Sequence, residues 1–179
     1  MPTLSRRQLI LSASAGIMVP LAGCLGEDAE VDTDPIDLGG GFSCVVCGME
    51  IGAHYGPAVQ AFYENGSGDG ERPVAFDSLY EFINYDNEQE LRRNDRLAAY
   101  ATDYSVVDFD LEVHEDEVFI STHVASGAFA PVADLLYVVD SDLRGAMGPD
   151  AMPFSERDLA ESITADHGGR VVEWTELTS

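Results

Sequence analysis

A short step occurs twice in this chain. Pro73-Val74-Ala75-Phe76-Asp77 and Ala151-Met152-Pro153-Phe154-Ser155 each carry an apolar stretch into a Phe and then into a residue able to cap a helix. After the first, Leu79, Tyr80, Phe82 and Ile83 fall at helical spacing, which predicts a helix capped by Asp77 and ending near Glu90. After the second, Leu159 and Ile163 do the same under a Ser155 cap, with Gly168-Gly169 as the stop. Strand-like runs flank both steps. In the first half these are Pro57 to Glu64, a turn at Asn65-Gly66-Ser67-Gly68-Asp69-Gly70, then Arg72 to Phe76, Arg96 to Tyr104 and Val106 to Val113. In the second they are Val118 to Val124, Leu135 to Val139 and Val171 to Trp174. The simplest architecture is a pair of ββαβ units, residues 42–114 and 115–179. That gives an α+β fold with helices packed on mixed or antiparallel sheet.

The charge balance limits what such a fold can bind. Of 179 residues, 33 are Asp or Glu and 9 are basic, a formal net charge of −24, so nucleic acid and anionic membrane surfaces are excluded as main partners. With 45% hydrophobic residues the chain still fills a core, which places the acidity on a folded body. Every basic residue is Arg and none is Lys. An acid-dense, Lys-free surface fits a halophilic protein working in multimolar salt, where screening acts within roughly 3 Å.

The first 23 residues predict export. Arg6 and Arg7 precede an apolar run from Leu9 to Leu21. This run is shorter than the roughly 20 residues that span a hydrocarbon core, as in a signal peptide. Ser5-Arg6-Arg7-Gln8-Leu9-Ile10 resembles a twin-arginine signal, and Leu21-Ala22-Gly23-Cys24 resembles a lipobox, so the mature chain would begin at lipidated Cys24. Residues 24–41, acidic and broken by Pro35 and Gly39-Gly40-Gly41, predict a flexible tether. The folded part then starts near Phe42, at the outer face of the cell membrane.

The chemistry concentrates in Phe42-Ser43-Cys44-Val45-Val46-Cys47-Gly48-Met49. Two thiols three positions apart can converge on one point, Gly48 permits a tight turn, and Met49 adds a thioether. Thiolate with thioether favours Cu(I) over hard cations. A closed zinc site requires a second Cys or His pair, and iron–sulfur ligation requires more cysteines than Cys24, Cys44 and Cys47 supply. Spacing alone leaves metal binding and a plain Cys44–Cys47 disulfide level, the latter suited to an oxidising compartment. A thioredoxin-like couple comes third, because Gly52, Gly56 and Pro57 break any helix after the pair.

Distant residues shift this balance. Cys-x-x-Cys-Gly-Met at 44–49, Tyr137-Val138-Val139-Asp140-Ser141-Asp142, Gly145-Ala146-Met147-Gly148-Pro149, Met152-Pro153-Phe154 and Asp166-His167-Gly168-Gly169 occur in an order that resembles the NosL family of copper-binding lipoproteins. The resemblance spans nearly all of the chain after the tether. It implies a Cu(I) chaperone, not an enzyme, that serves maturation of nitrous oxide reductase with an ABC-type membrane assembly, on a fold of two ββαβ halves. It assigns Cys47 and Met49 as first ligands and Met147 as a third sulfur, with Cys44 as ligand or transfer thiol. Met152 is a weaker candidate.

Among the histidines, His54 could fold back from a Gly-rich loop and His123 ends a predicted strand, so both are candidate nitrogen ligands. His167 reads as a helix cap and His114 as part of a solvated turn. Phosphate loops and nucleophile elbows are missing from the sequence, and no carboxylate pairing into an acid/base site is legible. The alternative reading is an extracytoplasmic thiol–disulfide protein, or an organomercurial-lyase-like protein with a similar two-half fold, using Cys44 and Cys47. A third is an interaction module stapled by one disulfide.

Overall fold

A computed structural model describes residues 32–64, 72–88 and 95–179. The export signal over 1–23, the lipidation site Cys24, the turn at 65–70 and the end of the first helix beyond Glu88 lie outside the described residues.

The first half builds an antiparallel sheet from β1 (Val59–Tyr63), β2 (Val74–Phe76) and β3 (Arg96–Thr102), with α1 (Leu79–Glu88) between β2 and β3. Gln60 of β1 pairs with Ala75 of β2 on one side and Tyr100 of β3 on the other, giving the order β2-β1-β3. Five more strands follow: β4 (Leu111–His114), β5 (Glu117–Ile120), β6 (Phe129–Pro131), β7 (Leu136–Val139) and β8 (Leu143–Gly145). The chain closes with β9 (Gly148–Pro149), β10 (Met152–Phe154), α2 (Arg157–His167), β11 (Arg170–Glu173) and a short α3 (Trp174–Leu177). In the second half β10-β7-β11 are antiparallel in that order. The first strand of each unit is thus central, the second lies on one flank, and the strand after the helix lies on the other. Phe76 and Phe154, the ends of the repeated step, are both fully buried.

The α+β fold of two ββαβ units is what the repeated step predicts, but the units are interleaved. β6 comes from the second half and pairs with β3 of the first. A third sheet of order β4-β5-β8-β9 contains one parallel pair, β5 with β8. The boundary at 114/115 falls in the turn of the β4–β5 hairpin, whose residues Glu115 and Asp116 take positive φ. The described residues accordingly pack as one unit. Strand β7 shows why: Tyr137 and Val139 face the core shared with β1, β2 and α1, while Val138 faces the core of Met152, Phe154, Ala160 and Ile163. A strand buried on both faces belongs to both halves.

Part of the segment whose composition predicts a tether is packed against the fold. Leu38 is fully buried and its N–H donates to Val124 O at 2.9 Å. Ile36 N–H donates to Gln60 Oε1 and receives Gln60 Nε2 on its carbonyl, both at 3.0 Å. Two apolar residues at spacing two, Ile36 met by the buried Gln60 amide and Leu38 by Val124 O, are enough to dock a segment whose average composition reads as disordered. The folded part therefore begins upstream of Phe42.

The caps also move. Ser78 Oγ, not Asp77, accepts the Glu81 N–H at 3.3 Å, and Leu79 N–H and Tyr80 N–H donate to the Asp150 carboxylate at 3.1 and 3.2 Å. At α2, Ser155 does not cap: its own N–H and that of Glu156 donate to Asp103 Oδ1 and Ser105 Oγ. Gly168 does end α2, with φ of 74° and its N–H on Thr164 O.

Candidate metal centre

Residues 43–50 form a closed loop. Ser43 bridges Glu50, Cys44 N–H donates to Met49 O at 2.8 Å and Gly48 N–H to Cys44 O at 2.9 Å, with Gly48 at φ of 78°. Only a residue free of Cβ strain takes that φ without cost, as the sequence predicts for Gly48. The following Ile51–Ala53 is a single 3₁₀ turn, so the Cys pair does not open a helix as a thioredoxin-like couple would. Val45 N–H donates to Ala75 O at 3.0 Å, pinning the loop to β2. The thiols thereby face the start of α1.

There the sulfurs meet two carboxylates that sequence reading passed over. Cys44 Sγ–H donates to Glu81 Oε2 at 3.0 Å and Cys47 Sγ–H to Asp77 Oδ2 at 3.2 Å. One donor atom from each of Cys44, Cys47, Asp77 and Glu81 lies within 4.8 Å of all the others. Both cysteines are free thiols. Asp77 is 2% exposed and its Oδ1 is buried with no hydrogen-bond partner. An orphaned buried carboxylate oxygen beside two thiols is an acceptor that a cation would satisfy. The sequence holds no second Cys or His pair for zinc, but the two carboxylates complete a four-donor set of mixed softness, so donor number does not exclude that ion.

Burial pushes both thiols up from their ordinary range, Cys44 far more than Cys47, and the neighbouring carboxylates add to the effect. Glu81 is also raised, mainly by burial. At neutral pH the thiols therefore keep their protons, and a metal taking them as thiolates must displace those protons. The apparent affinity for any metal ion taken up as a thiolate complex is expected to rise with pH by about tenfold per unit for each proton displaced, between pH 6 and 8. Chelator competition across that range, corrected for the chelator's own protonation, measures the slope; a flat profile would remove the thiols from the ligand set.

The other predicted ligands divide. Met49 sits half-buried in the loop itself, its carbonyl closing the turn on Cys44. Met147 is 51% exposed in the turn between β8 and β9. Met152 is fully buried in the second core, where packing explains it. Neither His54 nor His123 belongs to the four-residue group. His54 is exposed just past the 3₁₀ turn. The His123 ring lies 3.1 Å from Ser121 Oγ and edge-on to Tyr104, and burial lowers its pKa. His167 ends α2 and contacts Asp142 at 2.9 Å, while His114 is exposed beside Tyr55 and Glu112.

A signal for Asp77 did exist in the repeat, because the equivalent position in the second step is Ser155, which makes the acid peculiar to the half that holds the thiols. For Glu81 the signal was Ser78-Leu79-Tyr80-Glu81, a capping-box pattern whose Ser caps while its Glu turns to Cys44.

Comparison with known proteins bears on this centre. The family model NosL matches residues 35–179. A copper-binding lipoprotein NosL of Stutzerimonas stutzeri is 29% identical over 159 residues, 88% of this chain and 73% of that protein. One from Achromobacter cycloclastes is 29% identical over 175 residues, 97% of this chain and 81% of that protein. The crystal structure of the copper chaperone NosL from Shewanella denitrificans superposes with a TM-score of 0.63 at 21% identity, covering 83% of this chain and 96% of that one. Their names describe copper binding or carriage and none describes a catalysed reaction.

Proposed function

The chain belongs to the NosL family, and on that premise we propose that it is an extracytoplasmic, membrane-anchored Cu(I) chaperone that delivers copper for the maturation of nitrous oxide reductase. The observation that carries the reading is the convergence of the Cys44 and Cys47 thiols on one point, beside a carboxylate oxygen with no partner. Cys47, Met49 and Met147 are the sulfur donors of this reading, with Cys44 as fourth donor or transfer thiol. Soft donors on a loop near the surface suit handover, since an acceptor can add its own ligand before the donor lets go. The cysteine loop presents Val45 and Val46 at about half exposure, 49% and 52%, so an acceptor can approach the thiols across an apolar surface.

The anchor rests on Leu21-Ala22-Gly23-Cys24 and the export route on Arg6-Arg7. No helix among the described residues is long and apolar enough to cross a membrane. The recipient is nitrous oxide reductase or its ABC-type maturation assembly, and the Lys-free acidic surface supports a source adapted to high salt.

Anaerobic competition between the reduced chain and a Cu(I) chelator tests the metal. One Cu(I) per chain is expected, with Met49→Ala and Met147→Ala each weakened about tenfold, on the scale of 1.4 kcal/mol. Equal affinity in both variants would remove the thioethers from the site. A Cys24→Ser chain recovered in the soluble fraction, and copper-poor nitrous oxide reductase in cells without the chain, are the results expected for anchor and delivery.

A further inference from the structure

Met147 is exposed in a turn of four residues, yet that turn is fixed at both ends. On the near side, Gly145 lies against Gly56 so closely that a Cβ on Gly56 would stand 2.5 Å from Gly145 Cα. On the far side, Asp150 is 4% exposed and spends both carboxylate oxygens on backbone donors. Oδ2 accepts Leu79 N–H at 3.1 Å; Oδ1 accepts Tyr80 N–H at 3.2 Å and Ala151 N–H at 2.8 Å. Leu79 and Tyr80 lie between Asp77 and Glu81, the two acids that face the thiols. Met147 is three residues from Asp150, so its Cα lies within about 11 Å of that clamp.

We propose that Asp150 is a positioning residue for copper, clamping the β8–β9 turn to the N-terminus of α1 and so setting the Met147 thioether against the thiol loop. The inference rests on the copper reading above and adds to it the residue that ties the Met147 turn to the helix start whose acids face the thiols. Asp150 does not touch metal; it acts through Met147. A buried carboxylate capping a helix of another unit has a plain structural use, so the test must separate placement of one donor from general stability.

The separation comes from a second probe. Cd(II), followed by its thiolate charge-transfer absorption, can bind Cys44, Cys47, Asp77 and Glu81 without the thioether. In the full reduced chain, Asp150→Asn is expected to weaken Cu(I) about tenfold, as Met147→Ala does, while Cd(II) affinity stays within about twofold. The double variant should be no weaker for Cu(I) than the weaker single one, because a thioether already misplaced has nothing left to lose. If the two losses multiply, or if Cd(II) falls alongside Cu(I), the positioning role is overturned. Should Asp150→Asn fail to fold by circular dichroism, Asp150→Ser, which keeps a capping oxygen, is held to the same three readouts. Met147→Ala weakening Cu(I) while Asp150→Asn does not would sink this inference and leave the copper reading standing. No effect of Met147→Ala would sink this inference and strike Met147 from the donor set, while loss of Cu(I) binding by the wild-type chain is what would sink the copper reading.

Discussion

Replacing Cys47 by Ser is expected to lower Cu(I) affinity by at least about a hundredfold, the upper end of what removing a supporting partner alone costs. Cys47 is the better placed thiol for exchange: it is half-buried while Cys44 is 2% exposed, and burial raises it less. It stands two positions before Met49, in the same closed loop. Ser keeps a donor to Asp77 Oδ2, 3.2 Å from the present sulfur, and the loop's backbone bonds do not involve the thiol. The fold should therefore persist, and a thermal melt close to wild type alongside the lost affinity separates ligand loss from unfolding. Cys44→Ser is a different case, because that thiol belongs to the main core and its removal should cost stability as well as metal. Retained Cu(I) affinity in Cys47→Ser would turn attention to the runner-up thiol chemistry.

The second large effect is on stability. Gly169→Ala should destabilise the fold by about 3 to 5 kcal/mol, combining a left-handed backbone with overpacking against rigid atoms. Gly169 has φ of 84°, and a Cβ there would meet Val139 O at 2.2 Å and Ser141 N at 2.8 Å. These are backbone atoms at the end of β7 and cannot rotate away. Gly168→Ala is the matched control: its φ of 74° and ψ of −169° are almost exclusive to glycine, but nothing lies within 4 Å of its Cβ, so only the backbone cost of about 1 to 3 kcal/mol applies. Urea unfolding of the pair at one salt concentration measures the difference, and equal losses would refute the close-approach argument.

The two glycines show how far each kind of reading reaches. Gly168 as the stop of α2 was legible, because helix termination is a local matter of φ and one capping bond. Gly169 looked like more of the same signal, yet its necessity comes from a strand end about 30 residues earlier in the chain. The strands behave alike. Pro57 to Glu64 and Leu135 to Val139 enclose β1 and β7 because runs of apolar residues report burial directly. Val106 to Val113 shortened to Leu111–His114, an edge strand exposed throughout, since without a buried face no pattern marks its ends.

By itself the sequence determined the sulfur loop, the repeated strand–helix step and the family they indicate, all of which are patterns within a dozen residues or an order of such patterns along the chain. Tertiary structure alone decided which of 33 acids matter. Asp77 and Glu81 reach the thiols across 30 and 37 positions, and Asp150 reaches Leu79 across 71. Composition made every carboxylate look like solvent face. What distinguishes these three is partial or complete loss of water and the donor each one meets, and those are properties of packing between elements, which no local spacing encodes.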